Sequence, residues 1–397
     1  MILASMAGNL GTFVDRRRLL SIAERLIAAP SPTGRAGDAA DVLAAILADE
    51  GFSVERPEAG HPNAPAVVAR LSAASPGRTL QFEGHLDTVH LPFVPPRVDG
   101  DLLTGSGASD MKGGLAAAVE AMLAVRDSGA LAAGAILLTA HDLHESPWGH
   151  GQQLDHMIDE GIVGEAVLIP EPLGDRLPVA GRGLACWEAV IRRPGLPIHE
   201  VLRPTNEPSV IEAGAELVAR LARLDGRLAA EVHPIAGRAS TFVGQIHAGD
   251  IYNGFPQICR LEGTRRWIPG TDAATVESEF RALTNELARD SGAEVDLTYR
   301  FVRDAFTLDP AHPFVGIFQQ AHQVISGRTL PTGPKPIADD GNTFFARARI
   351  PAITHGPRAG GQHTVEEWAS IDDLIRLARL YALVAVLYGP SDPGAAS

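Results

Sequence analysis

Cysteine is nearly absent: Cys186 and Cys259 are the only two in 397 residues, so neither a disulfide framework nor a cysteine metal cage can be built. Both fall in strand-like runs, where a thiol serves as a small apolar side chain. Basic residues are also in deficit. Against 48 Asp plus Glu stand 34 Lys plus Arg, a net charge of -14, which repels phosphate backbones and anionic lipid and argues against nucleic acid or a membrane as partner. No apolar run is long enough to span a bilayer. The opening MILASMAGNLGTFVDRRRLL puts its basic run after a weakly apolar stretch, the reverse of a secretory signal, so a cytoplasmic location is expected. A G-x-S-x-G elbow is missing, and neither cysteine has a nucleophile's motif context, which disfavours serine and cysteine hydrolase chemistry.

What is present suffices for two cores, with 45% hydrophobic residues against 21% charged. Between Arg16 and Glu50, apolar residues at helical spacing (Leu19, Ile22, Leu26, then Leu43, Ile46, Leu47) are broken by Pro30-Ser31-Pro32, which predicts two packed helices. Strand-like runs follow at 65–71, 79–84, 135–139 and 166–169, with a helical stretch over 113–128. This alternation predicts an α/β sheet. The middle of the chain reads differently: strand 184–192, helix 208–224, strands 240–246 and 258–267, helix 273–291, strand 294–301. That β-α-β-β-α-β order is the split βαβ, or ferredoxin-like, arrangement. From His312 the α/β pattern resumes with a helix to Ile325, a strand at 352–355 and a helix over 371–388, for which Ser370 and Asp373 form a capping box. The expected organisation is a discontinuous α/β domain, 1–182 and 302–397, carrying an inserted α+β domain, 183–301. The Pro/Gly/Ala-rich tail after Gly389 reads as a frayed end.

In open α/β sheets ligands gather at the carboxyl ends of strands. After the strand ending at Gly84 come His85 and Asp87, and the stretch beyond supplies Asp110. After Thr139 come Asp142, His144 and Glu145, after Pro170 comes Glu171, and after the strand 352–355 comes His363. Nitrogen and oxygen ligands without thiolates suit a catalytic pair of Zn, Mn or Co ions with an open position for water, not a structural zinc.

Four motifs carry a family resemblance: GHLDTV (84–89), GSGASDMKGG (105–114), IPEPLGD (169–175) and GGQHTVEEW (360–368). In this order they resemble the ligand motifs of the zinc aminoacylase and carboxypeptidase family, which includes acetylornithine deacetylase, succinyl-diaminopimelate desuccinylase and glutamate carboxypeptidase. The resemblance implies a mixed-sheet metallopeptidase-type catalytic domain with a lid/dimerisation domain inserted. It makes His85 and Glu171 ligands of one metal, Glu145 and His363 ligands of the other, and Asp110 the bridge. It puts Asp87 behind His85, accepting its free ring N–H, and a cis peptide after Asp110. The glycine-rich GSGAS lacks the lysine of a phosphate loop and reads as a turn.

One position departs from the family pattern. The family's general-base glutamate is replaced here, in HDLHESPWGHG, by His144. A neutral histidine suits proton transfer near neutrality, so His144 can serve as the base, with Asp142 and His141 as alternatives should the loop be shifted. In the inserted domain the resemblance makes His199 a donor to the developing oxyanion, and Asn253 and Arg266 the grip on a substrate carboxylate, a task the planar guanidinium fork suits. It also implies a homodimer through the lid domain. The stretch 338–342, with Gly341, resembles a substrate-side loop, or else is an ordinary helix N-cap.

Three functions follow. One is hydrolysis, by metal-activated water, of an N-acyl amino acid or small peptide with a free carboxylate. Another is hydrolysis of a non-peptide C–N bond, in an aryl amine, a carbamate or an aromatic-acid conjugate, prompted by His144 and the nearby Trp148. The last is a binding protein that has lost the chemistry, against which the complete ligand set argues.

Overall fold

A computed structural model describes residues 2–390; residues 391–397 of the tail read as frayed lie outside the described residues. The helices in chain order are α1 Ile2–Phe13, α2 Arg16–Ala28, α3 Gly37–Asp49, α4 Lys112–Ser128, α5 Gln152–Asp159, α6 Val210–Leu228, α7 Ala273–Ser291, α8 Pro313–Ser326, α9 Asp340–Ala348 and α10 Ile371–Tyr388. The chain divides into two compact units. One comprises 1–179, 308–333 and 339–397, the other 180–307 and 334–338.

The first unit is built on a six-stranded sheet in the order Val54–Glu55, Val67–Ser72, Ala135–His141, Thr79–His85, Ala166–Ile169, Ala352–Thr354. The last four strands run parallel and the first two antiparallel. The four parallel strands are buried along nearly their whole length, as parallel strands covered on both faces must be. Helix α4 is the centre of the unit: every residue from Lys112 to Val125 is buried, and Gly129, in the left-handed region at φ 63°, ends it. Helices α1, α2 and α10 pack against it. Asp15 caps α2 by accepting from the N–H groups of Arg17 and Arg18. Arg18 in turn forks onto Glu120 of α4, at 2.7 and 2.9 Å.

The second unit has an antiparallel sheet in the order Ser240–Ala248, Ile258–Arg266, Leu184–Arg192, Glu294–Arg303. This is the ferredoxin-like order, with α6 and α7 supplying its core. Leu217, Leu221, Leu224 and Leu228 of α6 meet Phe280 and Leu287 of α7 over Trp187, Ala189 and Ile191, alternate residues on one strand face. Cys259 is buried and Cys186 half-buried, both within strands and both free.

Several elements differ from the sequence reading. Helix α1 was not foreseen; it buries Ala7 and Leu10, too few apolar residues to give a period. Helix α5 and a four-stranded sheet of short strands around Leu102–Thr104 and Trp368–Ser370 were likewise unread. The capping box of α10 is only half present. Ser370 Oγ accepts from the Asp373 N–H at 3.3 Å, but the Asp373 carboxylate takes the N–H of Arg358 and the guanidinium of Arg376 instead. Among the described residues no helix is long and apolar enough to cross a membrane.

Candidate metal centre

The carboxyl ends of the parallel strands bring His85, Asp110, Glu145, Glu171 and His363 together. Asp110 turns one oxygen toward each histidine: Oδ1 lies 3.1 Å from His85 Nε2 and Oδ2 3.5 Å from His363 Nε2. Glu171 Oε1 is 3.5 Å from His85 Nε2, and Glu145 Oε2 is 3.2 Å from His363 Nε2. Two half-sites therefore share one carboxylate. All except His363 are buried.

The donor set fits cations. His85 Nδ1 lies 2.9 Å from the Asp87 backbone oxygen, which can only accept, so Nδ1 carries the hydrogen and Nε2 is left with a lone pair. That lone pair faces two carboxylate oxygens, an arrangement that is repulsive unless a proton or a metal ion lies between them. The pKa values report the same tension. Burial alone would lower that of His85, but Asp110, Asp87 and Glu171 outweigh it and hold it well above the usual range. His363 is pushed up to about 10 by Asp110, then Glu145. Glu171 is pushed up to about 7 by burial and by Asp110.

Backbone geometry spaces the half-sites. The Asp110-Met111 peptide is cis, and Glu367 Oε2 accepts the N–H groups of Ser109 and Asp110 at 3.2 and 3.3 Å. GSGAS forms the turn leading into this segment. Gly114, in the first turn of α4, lies so close to the strand end before Glu171 that a Cβ there would sit 2.1 Å from the Pro170 oxygen. Asp87 has a second task beside the expected one. Its carboxylate lies 3.6 Å from His85 Nδ1 and also accepts the N–H groups of His144 and Glu145, at 3.2 and 3.0 Å. It thereby fixes the loop that delivers Glu145.

Of the three residues weighed as base, His144 is the one whose ring lies against the centre. Its ring stacks on His85, with centroids 4.0 Å apart. Nδ1 is 3.0 Å from Asp340 Oδ2, and Nε2 is 3.6 Å from Glu171 Oε1. Asp142 is engaged elsewhere, accepting from the N–H groups of Gly34 and Ala36 at 2.8 and 2.9 Å. His141 is buried: Nδ1 meets the Asp142 oxygen at 2.7 Å, and Nε2 lies between Asp340, at 3.0 Å, and Glu83, at 3.3 Å. Burial opposes its protonation, but Asp340 and Glu83 prevail and raise its pKa to about 9. His85, His144 and Glu171 form one group of potential ligands, His141, His144 and Asp340 a second, and His85, Asp110 and Glu145 a third.

The sequence reading missed Asp340, Glu83 and Glu367. Glu83 and Glu367 had a visible signal, a carboxylate within a strand that leads straight into His85 and the second glutamate of GGQHTVEEW. The stretch 338–342 is a helix N-cap, with Asp339 and Asn342 forming a capping box for α9. Gly341 is buried in the first turn and gives its N–H to Asp339 at 2.8 Å, which leaves it nothing to offer a substrate; its neighbour Asp340 is the residue that reaches the site. In the second unit, Asn253 Nδ2 is 2.9 Å from His199 Nε2. Arg266 is half-buried, its pKa lowered by burial and then by Arg182, and among the described residues no carboxylate pairs with it.

Residues 81–386 match the model of peptidase family M20/M25/M40. A succinyl-diaminopimelate desuccinylase from Paracidovorax citrulli is 30% identical, over 92% of this chain and 96% of its own. A tripeptidase from Staphylococcus aureus superposes with a TM-score of 0.78 at 19% identity, covering 95% of this chain and 99% of that one. A dinuclear metal-binding peptidase from Bacillus subtilis does so with a TM-score of 0.66 at 17% identity, covering 94% and 97%. At those identities the two structures speak for the fold alone.

Proposed function

This chain belongs to peptidase family M20/M25/M40, and on that premise we propose that it hydrolyses the amide bond of an N-acyl amino acid or small peptide bearing a free carboxylate. The observation that carries the reading is the Asp110 carboxylate, with one oxygen toward His85 and the other toward His363. His85 and Glu171 would hold one divalent ion, Glu145 and His363 the other, and Asp110 both, with zinc the first choice and manganese or cobalt served by the same donors. Such a pair lowers the pKa of water and polarises a carbonyl.

The protein's own contribution is proton handling. The charged Asp340 accepts a hydrogen bond from His144 Nδ1–H and so leaves Nε2 as the base, aimed at the centre. It accepts a proton from the attacking water and hands it to the leaving nitrogen, so the products are a carboxylic acid and an amine. His141, protonated and buried against Asp340, keeps that aspartate charged. Arg266 and Asn253 are assigned to the substrate carboxylate and His199 to the developing oxyanion.

A second reading, hydrolysis of an aromatic-acid conjugate or other non-peptide C–N bond, is favoured by one observation. Trp148, three residues beyond Glu145, exposes its ring while stacked on His90 with centroids 4.1 Å apart. We also assign a homodimer to the second unit, supported by Phe242 and Ile246, which are exposed on an edge strand, and a cytoplasmic location. Sedimentation and fractionation test these.

The deciding experiment is a mass-spectrometric hydrolysis screen of protein supplied with Zn, Mn or Co, with a chelator control. Chelator-sensitive cleavage of carboxylate-bearing amides supports the first reading. Intact dipeptides with an amine or ammonia released from aromatic substrates would move the assignment to the second.

A further inference from the structure

A second cavity opens beside the metal centre, within the first unit. Strands Ala166–Ile169 and Ala352–Thr354 are parallel neighbours, with Thr354 opposite Ile169. The segments that leave them, 172–175 and 357–359, form two walls of a cavity of about 560 Å³, and α8, Arg328 just beyond it and α10 form the rest. Carboxyl ends of adjacent parallel strands are where open α/β sheets collect ligands. None of the residues assigned to the metals lines this cavity.

Its chemistry is that of an oxyanion receptor. Arg328, Arg358 and Arg376 face it, in a chain whose net charge is -14. The acids beside them are already engaged, Asp175 by Arg176 at 2.6 and 3.0 Å and Asp373 by Arg376 at 2.5 and 3.1 Å. Arg358 gives one nitrogen to Asp101 and Ser370, each at 3.2 Å, and keeps the others. The Arg328 guanidinium makes no hydrogen bond or ion pair among the described residues and feels the charge of Asp175 from further off.

A buried histidine adds an independent observation. His322 is 2% exposed and lines the cavity. Its Nδ1 lies 2.6 Å from the Arg328 backbone oxygen, so Nδ1 carries the hydrogen and Nε2 offers a lone pair that has no partner among the described residues. Burial lowers its pKa and keeps the ring neutral. His355 packs edge-on against it, with centroids 5.3 Å apart, and both His355 ring nitrogens are buried without a partner. Guanidinium groups alone would accept any oxyanion. A neutral acceptor among them selects one that still carries a proton.

We infer that this cavity binds a hydrogen phosphate group, its charged oxygens on Arg328 and Arg358 and its O–H donated to His322 Nε2. The group could arrive as inorganic phosphate, which carries a proton throughout the neutral range, or as the singly protonated end of a phosphate monoester, a form that predominates only below about pH 6. Sulfate, alike in size but without a proton near neutrality, would leave the histidine unsatisfied.

The test is calorimetric titration of the metal-loaded protein with inorganic phosphate and with sulfate at matched ionic strength. Because phosphate also binds divalent metals, Arg328→Ala, an exposed position outside the metal centre, isolates the cavity. Phosphate should bind at this site about tenfold tighter than sulfate, and Arg328→Ala should lose about tenfold or more of that affinity. His322→Phe should erase the preference for phosphate; if that variant does not fold, Arg328→Ala decides alone. Glycerol 3-phosphate binding as tightly as phosphate would identify monoesters as the source, and weaker binding the inorganic ion. Indistinguishable phosphate isotherms for wild type and Arg328→Ala, or sulfate bound as tightly as phosphate, would overturn the inference.

Discussion

Asp340 Oδ2 lies 3.0 Å from His144 Nδ1, and that contact fixes which nitrogen of the histidine can act. With an asparagine at 340, Nδ1 no longer faces a charge, and the ring is free to turn or change tautomer. Asp340→Asn should lower kcat by on the order of 10²-fold with metal content unchanged, as steady-state kinetics beside metal analysis would show. His144→Glu should keep more activity than His144→Ala, because a carboxylate can still take a proton. Equal loss in both would count against His144 as the base.

The bridging carboxylate makes metal loading asymmetric among the ligands. Asp110→Ala should lose both ions, whereas His363→Ala should lose the one it shares with Glu145. Stoichiometry by elemental analysis after gel filtration reads this directly, and full loading of Asp110→Ala would remove the basis for a shared site.

Protons and metal compete for the same atoms. The carboxylates around His363 push it up to about 10, and burial pushes Glu171 up to about 7, yet both must be deprotonated to bind a cation. Metal affinity should therefore rise with pH between 6 and 9, with protons released on binding, and calorimetry in buffers of different ionisation enthalpy counts them. Stability runs the other way. A histidine whose folded pKa is raised contributes stability below its unfolded value of about 6.5 and loses it as pH climbs through the folded value. The Tm of the stripped protein should fall over that window while the loaded protein changes less.

Arg266→Ala should raise KM for substrates with a free carboxylate by about tenfold or more, and far less for their amides, since a guanidinium–carboxylate fork is then lost from only one of the two. Kinetics on a matched acid and amide pair settles it.

The Arg18–Glu120 fork ties α2 to α4, and the Glu120 side chain has no solvent exposure. Arg18→Ala would strand a buried carboxylate at a cost of about 3 to 5 kcal/mol, while Arg18→Met with Glu120→Leu should recover most of it. Urea unfolding curves of the two variants make the comparison.

What the sequence disclosed, and what it withheld, follows the range of the forces involved. Strands such as Leu184–Arg192 and helices such as α7 and α10 were readable to the residue, because one buried face imposes a period on each. The five proposed ligands came from the resemblance, and the structure brings them together because each follows a strand or motif at short range. Asp340 was not readable, since it meets His144 across 196 positions of chain and its own neighbourhood shows only a helix cap. The resemblance offered Gly341, one residue away, and nothing local says that Asp339 has already claimed its N–H. Asp87 was read only in part, since its carboxylate also holds the backbone of a loop 57 residues on.

Gly114 gives the centre a fixed gauge. Asp110 is anchored at the start of α4 and Glu171 at the strand end that presses against Gly114, so the separation of two ligands rests on backbone touching backbone, with no side chain between to yield. A methyl group at 114 would act as a shim: it would spread the two anchor points while leaving every ligand chemically intact. Such a change would detune the site through distance, with its ligand chemistry untouched.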